Sequence, residues 1–297
     1  MNARSPSLSR SAHSTPTPRP RLTSLSSSPH RGKPRYDSFD PYATFPIHQG
    51  RPAPSRGQFE QGVQHTQQPI VTGSSVIGLR YKDGVILAAD NLASYGSLAR
   101  FKDVRRLHQV GSNTLVGASG DMADFQQVKK MLESLMIQES ILDDGHELST
   151  NQVFEYLGNV MYARRSKMDP LWNAMLVAGW DSDKDEPFLS YVDLVGVTYS
   201  SPSLATGFGN HLAIPLLRKE LDSRGPEGHK ELSEEDALKI VRNCMKVLFY
   251  RDARSLNKFQ VAKITKDSVE VGEPESAETY WAFAEGLRGY GNSDETY

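Results

Sequence analysis

The sequence predicts an α+β chain folded as a four-layer αββα sandwich, with a disordered segment ahead of it. Three observations carry this. Runs rich in β-branched residues open and close the folded part. Amphipathic helices come in consecutive pairs, with strands before, between and after them. Single helices do not alternate with single strands, as a doubly wound sheet would require. Two antiparallel sheets packed face to face, each with a helical pair outside, suit that order.

The first hairpin joins Val76–Tyr81 to Val85–Ala89 across Lys82-Asp83-Gly84, where Asp-Gly supplies the positive φ of a tight turn. The second run is apolar throughout, which predicts cover on both faces. It ends on Asp90. Asn91–Arg105 reads as mixed and partly looped. Leu107–Val110 and Thr114–Ala118 are short strands joined across Gly111-Ser112-Asn113, and Ser119-Gly120-Asp121 turns sharply into a helix. In that helix Phe125, Val128, Leu132, Leu135 and Met136 recur at spacings of three and four; Ile141 and Leu142 can resume the stripe beyond Glu139. A second helix starts near Ser149 with Val153, Leu157, Val160 and Met161 on one face. Asn173–Gly179, Phe188–Leu194 and Val195–Tyr199 read as strands, the first two joined by an acidic turn. A helix between Asn210 and Leu221 tolerates Pro215 only near its start. Gly225–Lys230 reads as a loop. Ser233-Glu234-Glu235-Asp236 starts the last helix, with Ala237, Ile240, Val241, Cys244, Val247 and Leu248 as its buried stripe. Cys244 within that stripe reads as packing, not as a reactive thiol. Phe259–Ile264 and Ser268–Val271 form the final hairpin.

Composition bounds the rest. The chain has 297 residues, a net charge of −2 and 38% hydrophobic residues, a low value that suggests a polar segment diluting an ordinary core. That segment is 1–65, which holds ten of the seventeen prolines and a charge of +6, leaving −8 for the remainder. No strand or helix period survives there, and it is too polar to offset its ordering entropy. It reads as a disordered pro-segment or tail. Its acid-free, Arg- and Ser-rich start is also that of a mitochondrial transit peptide, though the prolines at 16, 18 and 20 oppose the helix such a peptide needs. Its Ser-Pro and Thr-Pro pairs could accept proline-directed phosphorylation, and its basic charge weak nucleic-acid contact. A single cysteine excludes an internal disulfide and fits a reducing compartment. No apolar run is long enough to span a bilayer, and no secretory signal is expected.

On residues alone, Ser74 reads as an ordinary strand residue and Asp90 as a turn cap, or the two form a site at the open end of the hairpin. The stretch Gly73-Ser74 to Asp90 resembles the opening hairpin of proteasome β-type subunits, members of the N-terminal-nucleophile hydrolase family. In active members the chain cuts itself before a Thr, and an Asp ends a strand at a fixed distance beyond it. Counting back from Asp90 by that spacing reaches Ser74. Gly117-Ala118-Ser119-Gly120-Asp121 resembles the family's turn into its first helix, and Tyr250-Arg251-Asp252-Ala253-Arg254-Ser255 its supporting segment. The runs at 66–73, 162–173 and 194–202 are similar to one particular non-catalytic member. The resemblance covers about residues 66–297 and implies the same αββα sandwich over 66–275.

In active members the terminal Thr hydroxyl attacks a peptide carbonyl and its own α-amine, with a pKa of roughly 8, takes the proton. The resemblance places Ser74 at the nucleophile, Asp90 at the strand-end acid, and Asp252 and Ser255 at the supporting pair. It puts Arg106 where a Lys is expected, and Phe208-Gly209 where the family has Ser-Gly. A guanidinium does not release its proton. Maturation is implied between His65 and Thr66, which leaves residues 66–73 ahead of Ser74 and its nitrogen in a peptide bond. The site is therefore expected to be degenerate and the chain non-catalytic, with no cofactor and no metal. The alternatives are a Ser-type peptidase processed at Gly73-Ser74 and an unrelated binding protein with a basic arm.

The resemblance further implies rings of seven β subunits stacked between α rings. It implies other α- and β-type subunits as partners, including the opposite β ring, with assembly chaperones possible. Nucleic acid and membrane are not expected partners, and the compartments implied are cytoplasm and nucleus. Residues 276–297 carry Tyr280, Trp281, Phe283, Leu287 and Tyr290, too many large apolar groups for a free tail. They are expected to contact another subunit, with folding back onto the same domain as the competing reading.

Overall fold

The computed structural model describes residues 68–141, 143–182 and 184–282. The expected pro-segment 1–65, the expected processing pair His65 and Thr66, and Phe283, Leu287 and Tyr290 lie outside the described residues.

Two antiparallel sheets form the centre. Five strands make one of them: β11 (Ser203–Ala205), β2 (Val76–Tyr81), β3 (Gly84–Asp90), β12 (Phe259–Thr265) and β13 (Val269–Val271), in that order across the sheet. The other runs β10 (Thr198–Ser200), β9 (Glu186–Val192), β8 (Asn173–Asp181), β7 (Thr114–Asp121), β1 (Val71–Gly73), β4 (Ala93–Tyr95) and β5 (Leu98–Phe101), with β6 (Leu107–Val110) also pairing to β7.

Three apolar clusters separate the layers. Val76, Val85, Leu87, Leu115, Leu176 and Leu189 fill the space between the sheets. Helices α1 (Met122–Ile141) and α2 (Thr150–Ser166) bury Phe125, Val128, Leu132, Leu157 and Met161 on the outer face of the larger sheet. Helices α3 (Gly209–Asp222) and α5 (Glu234–Arg251) bury Leu217, Val241, Cys244 and Leu248 on the outer face of the smaller one. The four-layer αββα sandwich is therefore present. β3 is buried at every position, as its continuous apolar run requires.

Local signals act as expected at two helix starts. Ser149 caps α2 in a reciprocal capping box with Gln152, and the Ser233 hydroxyl accepts from the Asp236 amide at the start of α5. Elsewhere the structure corrects the reading. The first hairpin turns through Lys82 and Asp83 with no positive φ; Gly84 belongs to β3, where a Cβ would stand 2.0 Å from the Ile264 carbonyl oxygen. Glycine is needed there for close strand approach, not for the turn. Asn91–Arg105 holds the β4–β5 hairpin. Val195–Val197 is a turn, and only Thr198–Ser200 pairs as a strand. Pro215 sits in the middle of α3, and the loop expected at 225–230 contains the one-turn helix α4 (Gly228–Glu231). Ile141 is 72% exposed and does not resume the α1 stripe.

The chain passes from one sheet to the other at Ser74 and Ser75, between β1 and β2. This crossing places Ser74 at an open end of the sandwich.

Candidate functional site

Ser74 lies in a cleft of about 720 Å³ between the ends of the two sheets. Thr72, Gly73, Gly120, Phe208, Asp252 and Ala253 are among the residues that line it. Antiparallel pairing of β2 with β3 sets Val76 opposite Ala89 and brings Asp90 back to the hairpin's start. The Ser74 hydroxyl donates to Asp90 Oδ1 at 2.9 Å. Ser74 and Asp90 thus meet across sixteen residues, as the spacing implied.

Arg106 lies beneath them, 1% exposed and among the largest fully buried side chains. All five of its N–H groups are used. Nε donates to the Asp90 carbonyl at 2.9 Å; one terminal nitrogen donates to the carbonyls of Ser74 at 2.8 Å and Ala118 at 3.2 Å. The other donates to the Ser75 carbonyl at 2.9 Å and is ion-paired with Asp90 Oδ1. Asp90 Oδ2 accepts from the Leu256 amide at 3.0 Å. Burial pushes the Asp90 carboxyl up, against the Arg106 charge, the Ser74 hydroxyl and the Leu256 amide, which favour its ionised form. A buried pair is tolerable when its remaining donors and acceptors are satisfied, as they are here; removal of either partner leaves an uncompensated charge.

The Arg106 guanidinium organises the backbone around it. It clamps four carbonyls, those of Ser74, Ser75, Asp90 and Ala118, so its hydrogen bonds fix the backbone around Ser74. It also constrains the residue before Ser74: a Cβ on Gly73 would stand 2.6 Å from Arg106 Cδ. A side chain at position 73 would force the buried Arg106 side chain to shift.

Asp252 and Ser255 are close to the cleft but serve the backbone. The Ser255 hydroxyl donates to the carbonyls of Asp252 at 2.7 Å and Leu248 at 3.3 Å, closing the C-terminal turn of α5. Asp252 Oδ1 accepts from the Arg254 amide at 2.9 Å. Together they shape the turn that carries Leu256 to Asp90. Phe208 stands at the cleft wall, 59% exposed, immediately ahead of α3. The hydroxyl at this level comes from Ser75, whose Oγ accepts from the Gly209 amide at 2.9 Å.

Sequence reasoning did not find β1, although three successive β-branched residues, Ile70, Val71 and Thr72, were its signal. It also did not find that Asp121 holds β1. Asp121 Oδ2 accepts from the Ile70 amide at 2.8 Å, while Oδ1 accepts from the Ala123 amide at 2.7 Å and so caps α1. The strand-to-helix turn needs its glycine: Gly120 has φ +89°, and a Cβ there would stand 2.1 Å from the Trp172 carbonyl oxygen. Cys244 is fully buried and its thiol is pushed up to about 12 by burial, so it is no nucleophile.

The far end of the described chain lies on α5. Glu275 exchanges backbone hydrogen bonds with Phe259 at 2.9 and 2.8 Å. Its carboxylate accepts from Arg242 at 2.8 and 3.0 Å. Trp281 sets its ring edge-on to Tyr250, with centroids 5.0 Å apart, and the Tyr280 amide donates to the Tyr250 hydroxyl at 2.8 Å. Residues 276–282 therefore fold back onto their own domain, although Tyr280 is still 64% exposed and Trp281 40%. Among the described residues no helix is long and apolar enough to cross a membrane.

Comparison with known proteins agrees with this geometry. The family model described as "Proteasome subunit" matches residues 70–264. The chain is 51% identical over 260 residues to the probable proteasome subunit beta type-7 of Schizosaccharomyces pombe, a match covering 88% of this chain and 95% of that one. It is 47% identical over 228 residues to the proteasome subunit beta type-4 of Xenopus laevis, covering 77% and 91%. To the beta type-4 subunit of Arabidopsis thaliana it is 43% identical over 225 residues, covering 76% and 88%. The chain belongs to the proteasome subunit family, as a β-type subunit of the core particle with the N-terminal-nucleophile hydrolase fold.

Proposed function

We propose that this β subunit has no peptidase activity of its own and serves the core particle as a structural member of its ring. One observation carries the reading: a buried guanidinium, Arg106, underlies Ser74, and all five of its N–H groups are spent on four backbone carbonyls and Asp90. With maturation proposed between His65 and Thr66, the Ser74 nitrogen stays in a peptide bond without basicity, and the proton acceptor that an N-terminal nucleophile carries on its own residue is missing. Arg106 cannot supply one, because a guanidinium stays protonated. Asp90, which faces the Ser74 hydroxyl, is already engaged by Arg106 and the Leu256 amide. Asp252 and Ser255 hold a turn and are not proposed to touch substrate.

The test is Ser74→Ala in the assembled particle. The peptidase activities of the particle are expected to be unchanged, and loss of any one of them would establish Ser74 as a nucleophile.

The C-terminal extension 276–297 is proposed to reach another subunit, including one of the opposite β ring, and to help join the two halves. The large exposed rings of Tyr280 and Trp281 support this, since such surface usually marks a contact. Because residues 276–282 are latched to α5, truncation after Ala282 separates the two roles. It is expected to slow half-particle joining while leaving the subunit folded; joining at the normal rate would remove the extension from that step. Maturation between His65 and Thr66, removal of 1–65, assembly-chaperone contact and residence in cytoplasm and nucleus belong to the same reading. Mass analysis of the chain's N-terminus and its cellular distribution test them.

A further inference from the structure

Methionine is placed unevenly in this domain. Seven of the chain's eight methionines lie among the described residues. Met122, Met161, Met175 and Met245 are buried in the clusters on the outer faces of the two sheets, and Met131 and Met136 pack partly buried against one of them. Met168 is the exception, 84% exposed. It belongs to the run 162–173, whose last two residues, Trp172 and Asn173, line the cleft while Met168 does not.

The backbone builds this exposure. α2 is capped at Lys167, and the next residue, Met168, has φ +58°. The Met168 amide donates to the Arg165 carbonyl and the Asp169 amide to the Arg164 carbonyl, each at 3.1 Å. These two bonds make a Schellman motif with Met168 at its left-handed position, where glycine is the usual residue. Asp169 is tied back to the helix. The Arg164 guanidinium donates to the Asp169 carbonyl at 2.8 Å and pairs with its carboxylate at 3.1 Å. Pro170 follows and cannot continue the helix. A long thioether side chain thus occupies a strained backbone position and stands in the open at a turn fixed from both sides.

We propose that Met168 is a modification site, the methionine at which this domain takes up oxygen from a peroxide ahead of the other described methionines. Oxidation of a thioether follows its access to the oxidant. In the step, the sulfur lone pair attacks one oxygen of hydrogen peroxide, the O–O bond breaks and an S–O bond forms. The proton of the transferred hydroxyl passes to the departing hydroxide, which leaves as water. Sulfur is oxidised by two electrons and the peroxide is reduced by two. The turn survives the change, because its bonds come from the backbone and from Arg164 and none from the Met168 side chain. A sulfoxide on Met161 or Met175 would instead put a polar group into the cluster under α1 and α2. Oxygen uptake at Met168 leaves the core packing untouched, and enzymatic sulfoxide reduction reverses it.

The test is timed exposure of the intact native particle to dilute hydrogen peroxide, followed by peptide mapping of this subunit. Fragment ions must separate Met168 from Trp172 and Met175, which share its stretch of chain. Met168 is expected to gain one oxygen atom at least tenfold faster than Met122, Met131, Met136, Met161, Met175 or Met245. Treatment with methionine sulfoxide reductases is expected to remove that oxygen. Uptake at Met168 no faster than at the core methionines would overturn the inference, as would a Met168 left unmodified because a neighbouring subunit covers it. A particle carrying Met168→Leu supplies the second readout. Its fast phase of oxygen uptake is expected to vanish while the slow phase at the other methionines is unchanged; persistence of the fast phase would overturn the assignment to Met168. Hydrogen exchange in α2 is expected to be the same before and after the fast phase, and faster exchange there would show that the turn depends on the unmodified side chain, against the proposal.

Discussion

The domain is entered and left by two short segments, and they are held in opposite ways. Residues 70–73 enter as an internal strand, paired on both edges and seated over a buried guanidinium. Residues 273–282 leave along the surface of α5, held by a backbone bridge, a bidentate ion pair and ring edges on Tyr250 and Phe249. The first segment cannot move without opening the sheet, so it defines the state of the site beside it. The second can be lifted at modest cost, so it can serve a partner. Depth of engagement, not the number of apolar residues, separates the two.

Substitutions at each end sharpen this contrast. The largest effect is expected for Arg106→Met, which strands the Asp90 charge and several carbonyls in a dry site. A loss of about 3–5 kcal/mol is expected, read as failure of the subunit to enter the particle. Gly120→Ala follows, because its φ of +89° and the Trp172 carbonyl both exclude a side chain; about 1–3 kcal/mol from the backbone strain alone is expected, measured by chemical denaturation. Trp281→Ala should cost about 0.5–1.5 kcal/mol, the worth of an aromatic pair, and speed exchange at 276–282 without touching β1. Glu275→Gln breaks an exposed pair with Arg242 and should cost about 0.2–1 kcal/mol, diminishing with added salt. If Trp281→Ala proved more damaging than Arg106→Met, the contrast between the two ends would be reversed.

Much of the fold was legible because its signals are local. Continuous apolar strands, helical stripes at three and four, and the serine caps at 149 and 233 each act within a few residues. What escaped depended on partners far away in sequence. Gly84 is a glycine because of Ile264, and β1 is a strand because β4 and β7 flank it. The cluster at the cleft was legible as a set of residues, Ser74, Asp90 and Arg106, because the spacing from Ser74 to Asp90 is carried by one hairpin. The clamp on four carbonyls, the Leu256 amide and the fit of Gly73 over Arg106 were not, since backbone acceptors leave no mark in a sequence. Asp252 and Ser255 show the reverse case: the resemblance suggested a supporting role, and their hydrogen bonds hold a turn.

The most direct measurement is the intact mass of this subunit taken from the native particle, which gives its first residue. A start ahead of Ile70 is predicted, with Thr66 the expected residue, so that β1 is retained and Ser74 keeps an amide nitrogen. A start at Ser74 would contradict the account, because it would free the α-amine on whose absence the non-catalytic reading depends and would remove β1.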